Sequence, residues 1–421
     1  MTGMDIYRLS ILFAYLVVQG IQYYLKLLNL LHMKEHCSQV PVGFEGYIER
    51  TTLGKSCAYT IESGTLSFVE SLLGNAVVLL FLYAGFLNLY NSWFVSLGLS
   101  FVLHGVLFFL CLMYATEVLS IPFNLYDVFK IENKYGFNTM TVRLWLADFV
   151  KSTALSTVLA STVLFCSLWI IRRSPEYWWL FLWGFFFLLS IFLMYISPYV
   201  IEPLFNKFTP LEGKDLECRI KAMMEKAGIK VSRVFRMDAS KRSRHSNAYF
   251  SGIGKVKRIV LFDTLIDNMT PDEILAVLAH EAGHWKKKHV VKMIAVMEIV
   301  SLAAAYAAHR LLATHLLSEV FSLSRATFFS DVVVLGFLFG IASFPFTPLF
   351  SYFSRRHENE ADRFALRLTG NPESLASALI KLSKENLSNL YPHPLYAKIY
   401  YSHPPVVKRI AAIRTEIELI R

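Results

Sequence analysis

Charge is scarce in this sequence. Asp, Glu, Lys and Arg supply 18% of its 421 residues, against about 25% in ordinary soluble domains. With hydrophobic residues at 55% and mean hydropathy at +0.43, the shortage excludes a wholly soluble chain. Cysteine is scarce too. Cys37, Cys57, Cys111, Cys166 and Cys218 form no CxxC or other close pair, so neither a disulfide framework nor a thiolate metal site is expected. No internal repeat or low-complexity tract stands out. The N-terminus has neither a basic start nor a small-residue cleavage site, so its first apolar run reads as a retained membrane helix rather than a signal peptide.

What is present is apolar sequence in long runs. About 20 residues of helix cross a hydrocarbon core, and seven stretches qualify: near Ile6–Leu31, Leu66–Tyr90, Phe94–Met113, Phe149–Ile171, Trp178–Tyr199, Val290–Leu312 and Val332–Phe350. A polar loop at 32–62, a short turn at Asn91–Trp93 and a polar segment at 117–147 separate the first four. The longest polar stretch, 201–289, lies between the fifth and sixth. The expected division is a five-span region at 1–200, then a region at 201–421 holding two further spans, about 290–312 and 332–350.

The formal charge is +10. Lys and Arg fall mainly in loops and in the long polar stretch, which the positive-inside rule and anionic lipid account for. The bilayer is therefore the expected partner, and nucleic acid is not. Seven crossings put both polar segments on one face, expected to be cytosolic, although Arg172-Arg173 falls on the other. The sequons at Asn268 and Asn386 would then go unused.

Within 201–289, Asp215–Ala227 reads as an amphipathic helix, and Val234–Met237 and Ile259–Phe262 as short strands. Ser251-Gly252-Ile253-Gly254-Lys255 reads as a turn. Thr270-Pro271-Asp272-Glu273 is a complete helix start, with Thr270 as N-cap, Pro271 at the first helical position and Glu273 closing a capping box.

That helix carries His280-Glu281-Ala282-Gly283-His284. Histidines four apart share a helix face, so two imidazoles reach one zinc ion at about 2.0–2.1 Å. Glu281 projects beside the metal as a general base. Ala282 and Gly283 leave room for a close neighbour. His289, on a continuous helix, would point away from the metal face and is rejected as a ligand. Glu358 and Asp362, four apart on an expected helix, offer one carboxylate for the metal and one to hold a ligand imidazole. Taken alone, the segment would also fit a solvated charged helix. Glu360 points to a different face.

Together these stretches resemble the type I CAAX prenyl endopeptidases, integral-membrane zinc metalloproteases that process prenylated proteins. The likeness covers nearly the whole chain. It rests on Ile121–Tyr126, Asn133–Asn138, Pro203–Phe208, Ser240–Ser243, Ser246–Phe250, the zinc motif and Ser402-His403-Pro404-Pro405. Asn359 stands where the family usually has an aromatic residue.

The resemblance implies a mostly α, multi-span fold enclosing a large water-filled chamber, with a cytosol-facing zinc domain containing a small β-sheet. It implies one catalytic Zn2+ on His280, His284 and Glu358, with Asp362 behind them and Glu281 as general base. Asn247 would align the substrate backbone on an edge strand, and His403 would donate to the scissile carbonyl. Read alone, Asn247 also fits a turn and His403 a structural role. The implied reaction removes the last three residues of a prenylated CAAX protein or peptide at the endoplasmic reticulum membrane. A broad-specificity quality-control metalloprotease and a non-catalytic zinc scaffold are the alternatives. His104 and Glu298, ionisable residues inside spans, fit either helix–helix hydrogen bonds or a watery chamber.

Overall fold

In lipid the backbone must satisfy its own amides, so apolar runs resolve as helices. The computed structural model describes residues 3–251, 256–314 and 316–420. The first part contains α1 (Gly3–His36), α2 (Arg50–Tyr83), α3 (Phe86–Ser96), α4 (Phe101–Tyr126), a π-helical turn, α5 (Asn133–Tyr135), α6 (Val142–Arg173) and α7 (Trp178–Ile196). Next come α8 (Ile201–Phe205), β1 (Phe208–Pro210), α9 (Lys214–Lys226), β2 (Lys230–Met237), β3 (Ala248–Ser251), β4 (Val256–Phe262) and α10 (Asp263–Asn268). Then follow α11 (Pro271–Lys286), α12 (His289–Leu312), α13 (Leu316–Val320), α14 (Phe328–Ser343), α15 (Thr347–Thr369), α16 (Pro372–Glu385), α17 (Pro394–Tyr400) and α18 (Val406–Ile420). The turn expected at Ser251–Lys255 lies largely outside the described residues.

Seven helical stretches among the described residues are long and apolar enough to cross a membrane, as expected. Their limits differ from the hydropathy reading. Helix α2 begins at Arg50, inside the expected polar loop, and ends at Tyr83. The expected turn at Asn91–Trp93 is instead the middle of α3, and the break falls at Gly85, whose φ of 87° suits glycine. Most of 117–147 is helical as well. Hydropathy marks where lipid is tolerated, whereas a helix continues beyond that limit wherever its polar side chains find partners.

The cysteine reading needs a second correction. Cys37 and Cys57 form a disulfide across 20 residues. The end of α1 and the first turns of α2 lie side by side, a proximity that sequence spacing does not reveal.

The strands form one mixed sheet in the order β1-β2-β4-β3, with β2 and β4 parallel and both outer pairs antiparallel. Strand β3 is therefore an edge. Two large apolar cores organise the described residues, beside a third, small one at Met237, Ala239 and Val260. One joins α9, the sheet, α11, α16 and α18, and includes Ile220, Ile259, Leu278 and Ile380. The other joins the ends of the membrane helices through Leu87, Phe94, Phe108, Leu168 and Phe329. It closes tightly at Gly105, where an added Cβ would lie 2.4 Å from the Phe329 ring and 2.5 Å from Leu168.

Few residues of the candidate spans are buried inside the protein. A cavity of about 830 Å³ is lined by Glu70, Glu117, Asp127, Trp145, Asp148 and Arg242, among others. The stretches that carried the family resemblance knit its wall. Arg242 binds Asp148 at 2.8 Å and Asn206 at 3.2 Å, Phe137 stacks on His245, and His245 Nε2 lies 3.2 Å from Glu132. Among the described residues the buried His104 Nε2 has no hydrogen-bond partner. Its ring stacks on Phe329 within the aromatic core.

Candidate metal centre and active site

The site begins with the capping box. Thr270 Oγ1 accepts from the Glu273 amide, and Glu273 returns a 2.8 Å bond from the Thr270 amide. Glu273 also accepts from Ser377 and Lys381 on α16, at 2.6 and 2.7 Å, which fixes α11 in its bundle. Burial pushes this carboxyl up, but these donors outweigh burial and hold it below the ordinary glutamate range. Ten residues from the cap, the helix presents His280 and His284 on one face.

Gly283 determines what approaches that face. An added Cβ would meet Ala361 Cα at 2.9 Å and Ala361 O at 3.1 Å. Only glycine lets the backbone of α15 come this close, and that approach delivers Glu358 and Asp362. Ligand atoms of His280, His284 and Glu358 all lie within 4.8 Å of one another. The two Nε2 atoms stand 3.1 Å apart, and Glu358 lies 3.3 Å from the first and 3.1 Å from the second.

His280 Nδ1 is 2.7 Å from Asp362, which directs the Nε2 lone pair towards the cluster. Glu358 Oε2 is buried with no hydrogen-bond partner among the described residues. Tetrahedral ligands at about 2.05 Å stand about 3.3 Å apart, so two facing imidazole nitrogens and an unsatisfied buried carboxylate oxygen fit a shared cation. Burial disfavours the charged form of His280. The bond to Asp362 and the nearby Glu358 carboxylate outweigh that and push its pKa up to about 9. The same carboxylates increase the basicity of the nitrogen towards a metal. Burial also pushes the Glu281 carboxyl up, with His280 and His284 partly opposing the shift.

His289 stays outside the ligand cluster, as expected, but for a different reason. The helix is not continuous. It ends at Lys286, Lys288 adopts φ 56°, and α12 starts at His289. The bend turns His289 back, so that its Nδ1 lies 3.1 Å from His284 Nδ1 and its Nε2 3.2 Å from Glu360. His284 is thus oriented through an imidazole and His280 through a carboxylate. Glu360 does point away from the cluster, as its helical position implies.

Sequence reasoning missed Arg409. From α18 it grips Asp362 at 2.7 and 2.9 Å. No motif marks it, because the pairing spans 47 residues. His403 follows α17 and is exposed, with Nε2 3.3 Å from Glu358 Oε1 and Nδ1 2.9 Å from Ser402 Oγ. Asn247 is exposed immediately before the edge strand β3, which packs against α11. Its side chain accepts from the Ala248 amide at 2.8 Å, and its contacts are to the sheet rather than to the ligand cluster.

Residues 29–207 match the family described as CAAX prenyl protease N-terminal, five membrane helices, and residues 210–417 match peptidase family M48. The CAAX prenyl protease 1 homolog of Arabidopsis thaliana is 35% identical over 390 residues, covering 90% of this chain and 91% of that protein. CAAX prenyl protease 1 of Saccharomyces cerevisiae is 36% identical over 323 residues, covering 71% and 69%. The crystal structure of S. mikatae Ste24p matches with a TM-score of 0.90 at 30% identity, over 98% of this chain and 99% of that one. On these matches the chain belongs to the CAAX prenyl protease 1 family, membrane metalloendopeptidases of peptidase family M48.

Proposed function

We propose that the protein removes the last three residues of prenylated CAAX proteins, using one zinc ion held by His280, His284 and Glu358. The observation that carries this reading is the convergence of two imidazole nitrogens on a buried, unsatisfied Glu358 oxygen, with Glu281 next in the chain. When bound, zinc supplies Lewis acidity at the scissile carbonyl and acidifies water at its open position. Glu281 receives the proton from the attacking water and passes it to the leaving amine. Its burial, which disfavours the carboxylate, makes it a stronger proton acceptor than an exposed glutamate.

His403 stands on the exposed side of Glu358 and donates to the developing oxyanion. Asn247 opens an edge strand, and an extended substrate adds to that edge with Asn247 aligning its backbone. Asp362 and Arg409 hold His280 in the required tautomer. The division into a membrane region at 1–200 and a metallopeptidase region at 201–421 belongs to this reading. So do an endoplasmic reticulum location and a cytosol-facing site. A prenyl chain partitions into lipid, so a membrane-embedded protease meets its substrate where the tail is anchored.

The test is cleavage of a short CAAX peptide, farnesylated or unmodified, by detergent-solubilised protein with and without a zinc chelator. Chelator-sensitive release of a tripeptide from the farnesylated form is expected. Cleavage of unrelated peptides at many sites would overturn the substrate in favour of quality control. Zinc binding without any hydrolysis would favour a non-catalytic scaffold.

A further inference from the structure

A second group of metal-binding side chains lies outside the site described above. At the C-terminal end of α1, His32, Glu35 and His36 bring one ligand atom each within 4.8 Å of one another. His32 and His36 are one helical turn apart, with ring centroids 4.1 Å apart. His36 Nδ1 lies 2.8 Å from the His32 carbonyl and donates to it, which leaves the His36 Nε2 lone pair free. This is the tautomer control that prepares a histidine for a metal. The 34-residue helix also directs its C-terminal partial negative charge at this point, which favours a cation.

The surroundings hold the cluster in place. The His393 ring meets His32 edge-on at 5.2 Å, while its Nδ1 accepts from the Leu395 amide. His393 therefore packs against the cluster without joining it. The His393 amide donates to Asn29 at 3.0 Å, and the Tyr391 hydroxyl donates to the Gln39 carbonyl. Cys37, next to His36, is bonded to Cys57. The end of α1 is thus fixed on one side to α2 and on the other to the segment that runs through α17 to His403.

From this geometry we infer that His32, Glu35 and His36 form a second metal site, for a divalent transition ion such as zinc, separate from the catalytic centre. Two imidazoles and a carboxylate are a borderline-soft donor set, suited to zinc and unsuited to magnesium or calcium. Exposure of Glu35 leaves a coordination position open to solvent. The ion would order the junction between the N-terminal helix and the segment leading to His403.

The test is metal content of the purified full-length protein after dialysis against zinc buffered in the low micromolar range. The wild type is expected to hold close to two equivalents, and the His32→Ala/His36→Ala variant close to one, with an unchanged monodisperse gel-filtration profile as proof of folding. The His280→Ala/His284→Ala variant should also hold one equivalent, now bound at α1. The milder Glu35→Gln should release the second equivalent at a lower chelator concentration than the wild type. One equivalent in the wild type, or two retained by His32→Ala/His36→Ala, overturns the inference. Because the readout is metal content, it stands apart from any failure of the proposed peptidase activity.

Discussion

The two ends of the molecule are consolidated by opposite means. At one end of the bundle Phe94, Phe108 and Phe329 pack around Gly105, and the His104 ring there stacks on Phe329. At the other end, charged groups lie buried or half-buried and are held in chains: Arg409–Asp362–His280 and Glu360–His289–His284. Both ends use a glycine to bring elements together. Gly105 admits side chains, whereas Gly283 admits another helix's backbone. Shape complementarity holds a structure together, but only the paired charges hold particular lone pairs in particular directions, as a metal centre needs.

Substitutions can break this contrast, and the largest effect is expected at the proton acceptor. Glu281→Gln should retain the metal and the fold yet lose about 10³-fold or more in kcat, measured on a farnesylated CAAX peptide. Next are the supports. Asp362→Asn and His289→Ala should each lower zinc affinity or activity by about 10–100-fold, as read by chelator competition and kcat/KM. Gly283→Ala should fall in the same range, because the backbone of α15 must withdraw to clear the new methyl. Gly105→Ala, by contrast, should destabilise by about 2–3 kcal/mol in thermal unfolding while metal content stays unchanged.

The smallest effect sharpens the comparison. Glu273→Gln should cost about 1 kcal/mol by weakening the charged contact to Lys381 and the cap. The sign with pH follows from the depressed carboxyl. Its contribution is complete above the unfolded value of about 4.3 and is lost as pH falls through the lower folded value. The stability gap between wild type and Glu273→Gln should therefore narrow on acidification.

What the sequence reveals follows from range. The capping box, the shared face of His280 and His284, and the carboxylates at 358 and 362 are local patterns, and each recurs in the structure. Seven apolar helices were legible because lipid imposes a length. Arg409, the return of His289 and the Cys37–Cys57 bond were not. Each depends on two elements meeting, and no periodicity encodes the meeting. The bend at Lys288 was hidden for another reason. Lysine carries no turn signal, yet here it occupies a left-handed conformation that glycine or asparagine would have announced.

That bend has a geometric consequence. The metal-binding helix and an apolar span are two arms of a single elbow, with His284 only five residues before the first residue of the span. Only Lys287 and Lys288 separate the two helices, and His289 closes the elbow by its contact with His284. A displacement of the apolar helix therefore reaches the metal-binding face through that contact, as a load passes through a short crank.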